Sequence, residues 1–340
     1  MTVTTDHGSR MEQALALAAA VRGRTSPNPW VGAVVVCADG RVFEGATQPP
    51  GGPHAEVEAL AAARAAGADL AGATLITTLE PCSHTGRTPP CTDAIIEAGV
   101  ARVVVGIEDP DPLVAGRGLA RLREAGIDVS LGELADEVRA QLAPYLKHRL
   151  TGRPYVTLKL GATLDGRTAA PDGSSRWITG EEARTDVHRL RAESDAVLVG
   201  AGTVRIDDPS LTVRHVAGPD PQRVVLGRAP AGARVHPAVE LSGSPDEVLD
   251  DLGRRGVLSV LVEGGATVAH DFHRAGLVDR YVLYLAPALM GGDDGAPMFR
   301  GAGAPTLGDV WRGRIVDVRR LGEDLRVEVE GPHGALAGGR

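Results

Sequence analysis

Residues 81–91 read PCSHTGRTPPC, a loop that stands between a predicted strand and a predicted helix. Residues 73–79 ahead of the loop form a short apolar run of the kind found in buried strands. Residues 91–98 after it have the periodicity of a helix, and Gly99 is suited to end that helix. A strand that runs through a loop into a helix is the repeating unit of α/β folds, so this stretch predicts an α/β domain.

Helices alternate with strands on both sides of this loop, which predicts parallel or mixed sheets covered by helices. The alternation is interrupted at residues 151–154, TGRP, and a fresh strand begins at residue 155. We therefore place a domain boundary within residues 147–153. The expected domains are residues 1–147 and residues 152–340, and each is long enough to bury its own core.

The composition is that of an ordinary folded protein with no general attraction to polyanions. The 340 residues are 43 % hydrophobic, with a mean hydropathy of -0.04 and a formal net charge of -8. This charge argues against nucleic acid and anionic membranes as partners, and the apolar runs are too short to span a bilayer. The cysteines are odd in number and no signal peptide precedes them, so we expect a cytoplasmic protein. Cys37 has no partner motif and is expected in the core.

His54, Cys82 and Cys91 supply one imidazole and two thiols, which are ligands that suit zinc. Three protein ligands leave a fourth position for water, and zinc lowers the pKa of that water to about 7. Glu56 can then carry the proton to a leaving amine. His-x-Glu followed by Pro-Cys and a second Cys is the pattern of zinc deaminases, although eight residues separate the two cysteines here. The alternative interpretation takes the histidine as an ordinary helix-start residue and both cysteines as buried apolar residues.

The second half contains a candidate catalytic lysine and two glycine-rich turns. Lys159 is one of only two lysines in the chain, which otherwise uses arginine for positive charge. Residues 198–205, LVGAGTVR, lack the third glycine of a dinucleotide-binding fingerprint. Residues 263–267, EGGAT, are a better nucleotide candidate, because a double glycine before a helix exposes backbone N–H groups. Taken alone, this second turn is equally typical of a plain tight turn.

Several segments in both halves resemble the bifunctional riboflavin-biosynthesis deaminase/reductase family. In the first half these segments are PNPWVG at 27–32, GPHAE at 52–56 and PCSHTGRTPPC at 81–91. In the second half they are KLGATLDGR at 159–167, SRWI at 175–178, LRA at 190–192, DDP at 207–209 and VEGG at 262–265.

The resemblance implies a cytidine-deaminase-like three-layer α/β domain followed by a dihydrofolate-reductase-like α/β domain. It implies two reactions, and the first is zinc-dependent deamination of a diaminopyrimidinone that carries a phosphoribosylamino group. The second is NADPH-dependent reduction of the ribosyl chain of the product to a ribityl chain. It also suggests a homo-oligomer.

For the deaminase half, the resemblance implies four substrate-binding residues. Asn28 would hold the pyrimidine, and His84 and Arg87 would hold the phosphoribosyl part. Asp109 is the fourth expected substrate-binding residue, and it matches the residue that the family has at this position. Asp111 stands where the family usually has Asn, and an ionised carboxylate cannot donate a hydrogen bond.

For the reductase half, the resemblance implies a cofactor set and a substrate set. The residues expected to contact NADPH are Gly161, Trp177, Thr203, Asp207 and Gly265. Those expected to contact substrate are Ser175, Arg191, Leu211, Arg214 and Glu263, with the two arginines suited to a phosphate. The groups expected to polarise or protonate the sugar are Lys159, Asp207 and Glu263.

Three other interpretations stay open at the level of sequence. The first is a zinc deaminase of another pyrimidine nucleotide joined to an altered or inactive reductase half. The second is a deaminase of nucleosides or nucleic acid bases, which the net charge of -8 opposes. The third is a zinc-stabilised binding protein, which the free carboxylate of Glu56 and the missing fourth protein ligand oppose.

Overall fold

The computed structural model describes residues 6–86 and 88–331. The chain divides into two compact units, Met1–Thr151 and Gly152–Arg340. Within the described ranges, no helix combines the length and the apolar character needed to cross a membrane.

The first unit is one five-stranded sheet with helices on its faces. Its strand order is β2-β1-β3-β4-β5, in which β1 is antiparallel to both neighbours and β3, β4 and β5 are parallel. Strand β1 is buried along its whole length and β3 and β4 along nearly all of theirs, as expected for strands covered on both sides. The elements are α1 (His7–Val21), β1 (Gly32–Val36), β2 (Val42–Ala46), α2 (Ala55–Ala65), β3 (Thr74–Leu79), α3 (Cys91–Glu97), β4 (Arg102–Ile107), α4 (Arg117–Glu124), β5 (Asp128–Leu131) and α5 (Ala135–Thr151).

Two glycines allow helices to pack closely against opposite faces of this sheet. Gly32 of β1 pairs with Ala46 of β2, so these two residues face the same side of the sheet. Gly45 precedes Ala46 in the strand and therefore faces the opposite side. A Cβ on Gly32 would lie 1.9 Å from the carbonyl oxygen of Ala14 in α1, and one on Gly45 would lie 2.2 Å from that of Ala55 in α2. The close packing at Gly45 fixes the first turn of α2, where the predicted metal ligand and acid/base residue lie.

The second unit is built on an eight-stranded sheet of order β10-β9-β8-β11-β6-β12-β15-β14. The strands from β10 to β12 are parallel, and β15 and β14 add an antiparallel edge. A small antiparallel pair, β7 and β13, stands apart from this sheet. The elements are β6 (Tyr155–Thr163), β7 (Arg167–Ala169), α6 (Glu181–Ala192), β8 (Ala196–Gly200), α7 (Ala201–Asp207), β9 (Gln222–Leu226), β10 (Val239–Leu241), α8 (Pro245–Arg254), β11 (Ser259–Val262), α9 (Ala266–Arg274), β12 (Arg280–Ala286), β13 (Ala296–Pro297), β14 (Arg314–Leu321) and β15 (Asp324–Glu330).

The hairpin of β14 and β15 is the largest feature that the sequence pattern did not predict. Inward positions of β15 carry charged residues, among them Arg326 and Glu328, which are both buried. Arg326 lies 2.8 Å from the carboxylate of Asp186 in α6 and 2.6 Å from that of Glu328. Residues 324–330 alternate charged and apolar side chains, DLRVEVE, and the charged face is the more buried one. It can pack against a helix because its charges pair with one another.

Candidate active sites

The three predicted metal ligands lie together in the first unit. Nδ1 of His54 is 3.2 Å from Sγ of Cys91 and 3.6 Å from Sγ of Cys82, and the two sulfur atoms are 3.5 Å apart. His54 is the N-cap residue of α2, Cys91 is the first residue of α3, and Cys82 follows β3. The ligands therefore lie at the N-termini of two helices and shortly after the end of a strand, and these rigid elements fix their positions.

The electrostatics of this cluster favour a bound cation. The hydrogen bond with Cys91 lowers the pKa of Cys82 to about 4, burial opposes this shift, and His54 reinforces it. The backbone N–H of Cys91 also donates to Cys82 Sγ over 3.4 Å. One imidazole nitrogen and two sulfur atoms, all within 4.8 Å of one another, form the donor set that zinc prefers, and they leave a coordination position open. These residues therefore fit a catalytic zinc ion.

Glu56 lies in the first turn of α2 beside this cluster. Its side chain is buried, with 3 % exposure. Burial raises the pKa of Glu56 to about 7, and His54 partly opposes the shift. A carboxyl group with a pKa near neutrality can both accept and release a proton at pH 7, which is what a general acid/base needs.

One pocket is lined by two of the three metal ligands and most of the predicted substrate-binding residues. Asn28, His84 and Asp109 all line it together with His54, Glu56 and Cys82. Arg87, the fourth predicted substrate-binding residue, lies outside the described residues. Asn28 precedes β1 in a turn that Thr25 fixes through a hydrogen bond from its hydroxyl to the Asn28 carbonyl, 3.1 Å long.

Asp109 is a buried carboxyl group held by a tyrosine that the sequence did not single out. The hydroxyl of Tyr145 donates to both carboxylate oxygens of Asp109, at 3.0 and 3.1 Å. Burial raises the pKa of Asp109 to about 6, although hydrogen bonds from Asp111 and Tyr145 oppose the shift. Tyr145 lies in α5, so only the folded chain brings it to a residue that follows β4.

Glu80 is a second pocket residue that the sequence did not reveal. It is 3 % exposed, and its carboxylate accepts four backbone N–H groups, two of which open helix α4. These donors are the N–H groups of Asp109, Gly116, Gly118 and Leu119, at 2.8 to 3.2 Å. Glu80 therefore joins the turn that carries Cys82 to the loop that carries Asp109. A glutamate beside a turn is usually predicted to be a solvent-exposed charge. No feature of the sequence indicates that backbone N–H groups surround this one.

In the second unit, three predicted residues form one charged group. Glu263, directly after β11, accepts two hydrogen bonds from Arg191 of α6, at 2.6 and 2.9 Å. Burial would raise the pKa of Glu263, but the Arg191 guanidinium and Lys159 lower it. Burial lowers the pKa of Lys159, and Glu263 opposes that shift. The Lys159 ammonium lies 5.9 Å from the centre of the Tyr284 ring.

Predicted cofactor contacts lie at the carboxyl ends of two neighbouring parallel strands. Thr203 follows β8 and accepts a hydrogen bond from the N–H of Gly265, the N-cap residue of α9, over 3.1 Å. Gly161 lies two residues beyond Lys159 on the same face of β6. The carboxyl edge of parallel strands is the usual ligand site in open α/β sheets, and the helix N-terminus suits a phosphate.

Asp207, Ser175 and Trp177 form a separate group. The guanidinium of Arg176 donates to the carbonyl oxygen of Asp207 over 2.7 Å, so Asp207 lies beside the segment that carries the other two. The indole of Trp177 is 70 % exposed, and the guanidinium carbon of Arg184 lies 4.6 Å from the ring centre. An exposed aromatic plane beside guanidinium groups suits a nucleotide.

The remaining predicted substrate residues lie in the loop after α7. Leu211 is buried in the core and has a positive φ of 53°. Arg214 is exposed, and its guanidinium donates to the hydroxyls of Ser210 and Thr212. Its backbone N–H donates to His188 over 3.2 Å, which anchors the loop to α6.

Comparison with known proteins matches both units. The family model described as "Cytidine and deoxycytidylate deaminase zinc-binding region" matches residues 4–107, and that described as "RibD C-terminal domain" matches residues 154–327. The riboflavin biosynthesis protein RibD of Escherichia coli is 42 % identical over 364 residues, covering 94 % of this chain and 98 % of that relative. The chain belongs to the RibD family. The Mycobacterium tuberculosis RibD is 45 % identical over 318 residues, covering 90 % of this chain and 91 % of that relative.

Solved structures of the RibD family have the same fold. The Acinetobacter baumannii RibD structure superposes with a TM-score of 0.88 at 37 % identity, covering 96 % of this chain and 98 % of its own. The deaminase/reductase of Thermotoga maritima superposes with a TM-score of 0.89 at the same identity and coverage. The predicted α/β fold class is thereby confirmed. The chain is a riboflavin-biosynthesis enzyme with a zinc-dependent deaminase and an NADPH-dependent reductase, and the interpretation with an altered or inactive reductase half is not favoured.

Proposed function

We propose that residues 1–147 deaminate 2,5-diamino-6-(5-phosphoribosylamino)pyrimidin-4-one. We further propose that residues 152–340 reduce the ribosyl chain of 5-amino-6-(5-phosphoribosylamino)uracil. The observation that carries this proposal is the pocket lined by His54, Cys82 and the buried Glu56, with Cys91 grouped with the first two as a third possible metal ligand. The similar Thermotoga maritima protein is a diaminohydroxyphosphoribosylaminopyrimidine deaminase and 5-amino-6-(5-phosphoribosylamino)uracil reductase, which supports this substrate pair.

In the deaminase step, His54, Cys82 and Cys91 would hold zinc, which makes water a nucleophile at neutral pH. Glu56 accepts the proton of the attacking water and passes it to the amine that leaves as ammonia. Its buried position beside the ligand set suits it to both transfers. Asn28 and Asp109 orient the pyrimidine, while His84 and Arg87 bind the phosphoribosyl part.

In the reductase step, bound NADPH would supply a hydride to C1′ of the ribose, and the bond from C1′ to the ring oxygen would break. Gly161, Thr203 and Gly265 would hold the cofactor along the carboxyl edge of the sheet, with Trp177 and Asp207 at the neighbouring segment. Because its pKa is lowered by burial, Lys159 can give up a proton to the ribose ring oxygen more readily than an exposed lysine.

The substrate of the reductase is anionic, and the site offers it guanidinium groups. Arg214 would bind the phosphate together with Ser175 and the backbone near Leu211. Arg191 would reach the substrate while it fixes Glu263, and Glu263 would accept a hydrogen bond from the sugar. We assign the catalytic roles in this unit to Lys159, Asp207 and Glu263.

We infer that the chain forms a homo-oligomer and works in the cytoplasm. Strand β14 is an edge of the larger sheet, and it exposes Ile315, Val316 and Val318. A second copy of the chain could pack against such an edge strand and bury its exposed apolar side chains. The cysteines are free thiols, and the zinc site needs two of them unoxidised, which a reducing compartment secures.

Removal of zinc tests the separation of the two activities. Chelation, followed by metal analysis to verify the loss of zinc, is expected to abolish ammonia release from the diaminopyrimidinone. The same sample is expected to oxidise NADPH at the untreated rate when the deaminated uracil is supplied directly, and added zinc is expected to restore deamination. Ammonia release from zinc-free protein would contradict the assignment, as would the joint loss of both activities.

A further inference from the structure

The deaminase pocket is lined by more carboxyl groups than cationic side chains. Four carboxyl groups line it, and Arg149 is the only lysine or arginine among the described residues that do so. The proposed pyrimidinone carries amino groups, which can donate to carboxylates, and one ring carbonyl oxygen, which must accept. The pocket therefore needs a donor for that oxygen.

Several side chains in the pocket already use their donors on other protein groups. The hydroxyl of Tyr145 donates to Asp109, and that of Thr47 donates to the carbonyl of Val31 over 3.4 Å. Asp111 cannot donate when ionised, and its Oδ1 accepts the N–H of Leu113 over 2.9 Å. Among residues 27, 28, 109, 111, 145 and 149, which contacts or chain adjacency bring together, the amide of Asn28 and the guanidinium of Arg149 are left as side-chain donors.

Arg149 is held in place from three sides. It lies in the last turn of α5, and its Nη2 donates to the carbonyl of Pro27, next to Asn28, over 3.3 Å. Its Nε lies 3.5 Å from Oδ2 of Asp111, and its guanidinium carbon lies 5.0 Å from the centre of the Tyr145 ring. A guanidinium has five N–H donors in a rigid fork, so these contacts orient it without using all of them.

We propose that Arg149 is a substrate-binding residue of the deaminase and that its guanidinium donates to the carbonyl oxygen of the pyrimidinone ring. Asp111 acts as a positioning residue that holds this guanidinium against the pocket wall. The inference rests on the proposed deaminase substrate.

The first test replaces Arg149 by Met in the full-length, zinc-loaded chain. A lost hydrogen bond from a charged donor is expected to lower kcat/KM for ammonia release about 10-fold to 100-fold, mainly through KM. Binding of the intact substrate to the Glu56→Gln chain, measured by calorimetry, is expected to weaken by a similar factor when Arg149→Met is added. Arg139→Met is the matched control, because Arg139 lies on the same helix and pairs with Asp136 at the surface. It is expected to change neither quantity.

A second comparison uses the substrate without its 5′-phosphate. If Arg149 binds the ring carbonyl, Arg149→Met is expected to lower kcat/KM by the same factor for the phosphorylated and the dephosphorylated substrate. If the loss disappears with the dephosphorylated substrate, the guanidinium binds the phosphate and the proposal is wrong.

Controls for folding keep the result interpretable. Zinc content and NADPH oxidation of the deaminated uracil are expected to stay at the wild-type level in Arg149→Met. If that variant loses zinc, Arg149→Lys decides, since it keeps the charge and stem but not the planar fork. It is expected to lose part of the affinity equally for the phosphorylated and the dephosphorylated substrate, and a loss confined to the phosphorylated substrate would overturn the proposal. Absence of ammonia release from the wild-type chain would overturn the proposed substrate instead.

Discussion

Replacing Glu56 by Gln is expected to slow ammonia release about 10²-fold to 10⁴-fold, the usual contribution of a positioned general acid/base. Glutamine has nearly the same shape but cannot accept a proton. Zinc content is expected to be unchanged, because Glu56 is not one of the three ligands. The measurement is ammonia release from the diaminopyrimidinone under saturating substrate, with zinc quantified in the same sample.

Glu58→Gln is the matched control for this variant. Glu58 lies in the same first turn of α2 and is only partly buried, so its replacement is expected to leave ammonia release within about twofold, as is usual for surface changes. Full turnover by Glu56→Gln with zinc retained would show that another group moves the proton.

Replacing Lys159 by Met is expected to lower NADPH oxidation about 10²-fold to 10³-fold, the range seen when one preorganised donor is removed from a reaction centre. Methionine keeps the length of the side chain and loses the ammonium that lies near Glu263 and the Tyr284 ring. The assay supplies the deaminated uracil directly, so the result does not depend on the deaminase. Ammonia release is expected to remain at the wild-type rate.

Lys147→Met is the control for Lys159, since Lys147 is the only other lysine and lies in the first unit. It is expected to leave NADPH oxidation unchanged. If Lys159→Met oxidises NADPH at the wild-type rate, Lys159 is not the proton donor.

The metal ligands could be found from sequence because each has a distinctive neighbour. His54 comes two residues before Glu56, and Cys82 follows a proline, so residue type and local order were sufficient. The strand that precedes Cys82 and the helix that starts at Cys91 were equally visible, because buried strands and glycine-ended helices have clear local patterns.

The residues that complete the deaminase pocket could not be found in this way. Glu80 acts through four backbone N–H groups that lie 29 to 39 residues later, in the loop after β4 and in the first turn of α4, and no side-chain pattern encodes them. Tyr145 and Arg149 lie on α5, and they meet Asp109 and Asp111 only when that helix packs on the sheet.

In the second unit, the sequence identified Arg191 and Glu263 separately and did not reveal that they form an ion pair. Each residue alone resembled a ligand for substrate, and only the adjacency of α6 to the end of β11 brings them to 2.6 Å. Strand β15 was not predicted, although its sequence, DLRVEVE, alternates charged and apolar residues. The sequence could not show that the charged face is the buried one, because Arg326 finds its partner Asp186 only in the folded chain.

The most direct test of the central claim supplies the diaminopyrimidinone and NADPH to the zinc-loaded wild-type chain and follows ammonia and NADPH together. If both units work in series, one NADPH is expected to be oxidised for each ammonia released, after a lag while the deaminated uracil accumulates. Ammonia release with no NADPH oxidation, even after long incubation, would contradict the account.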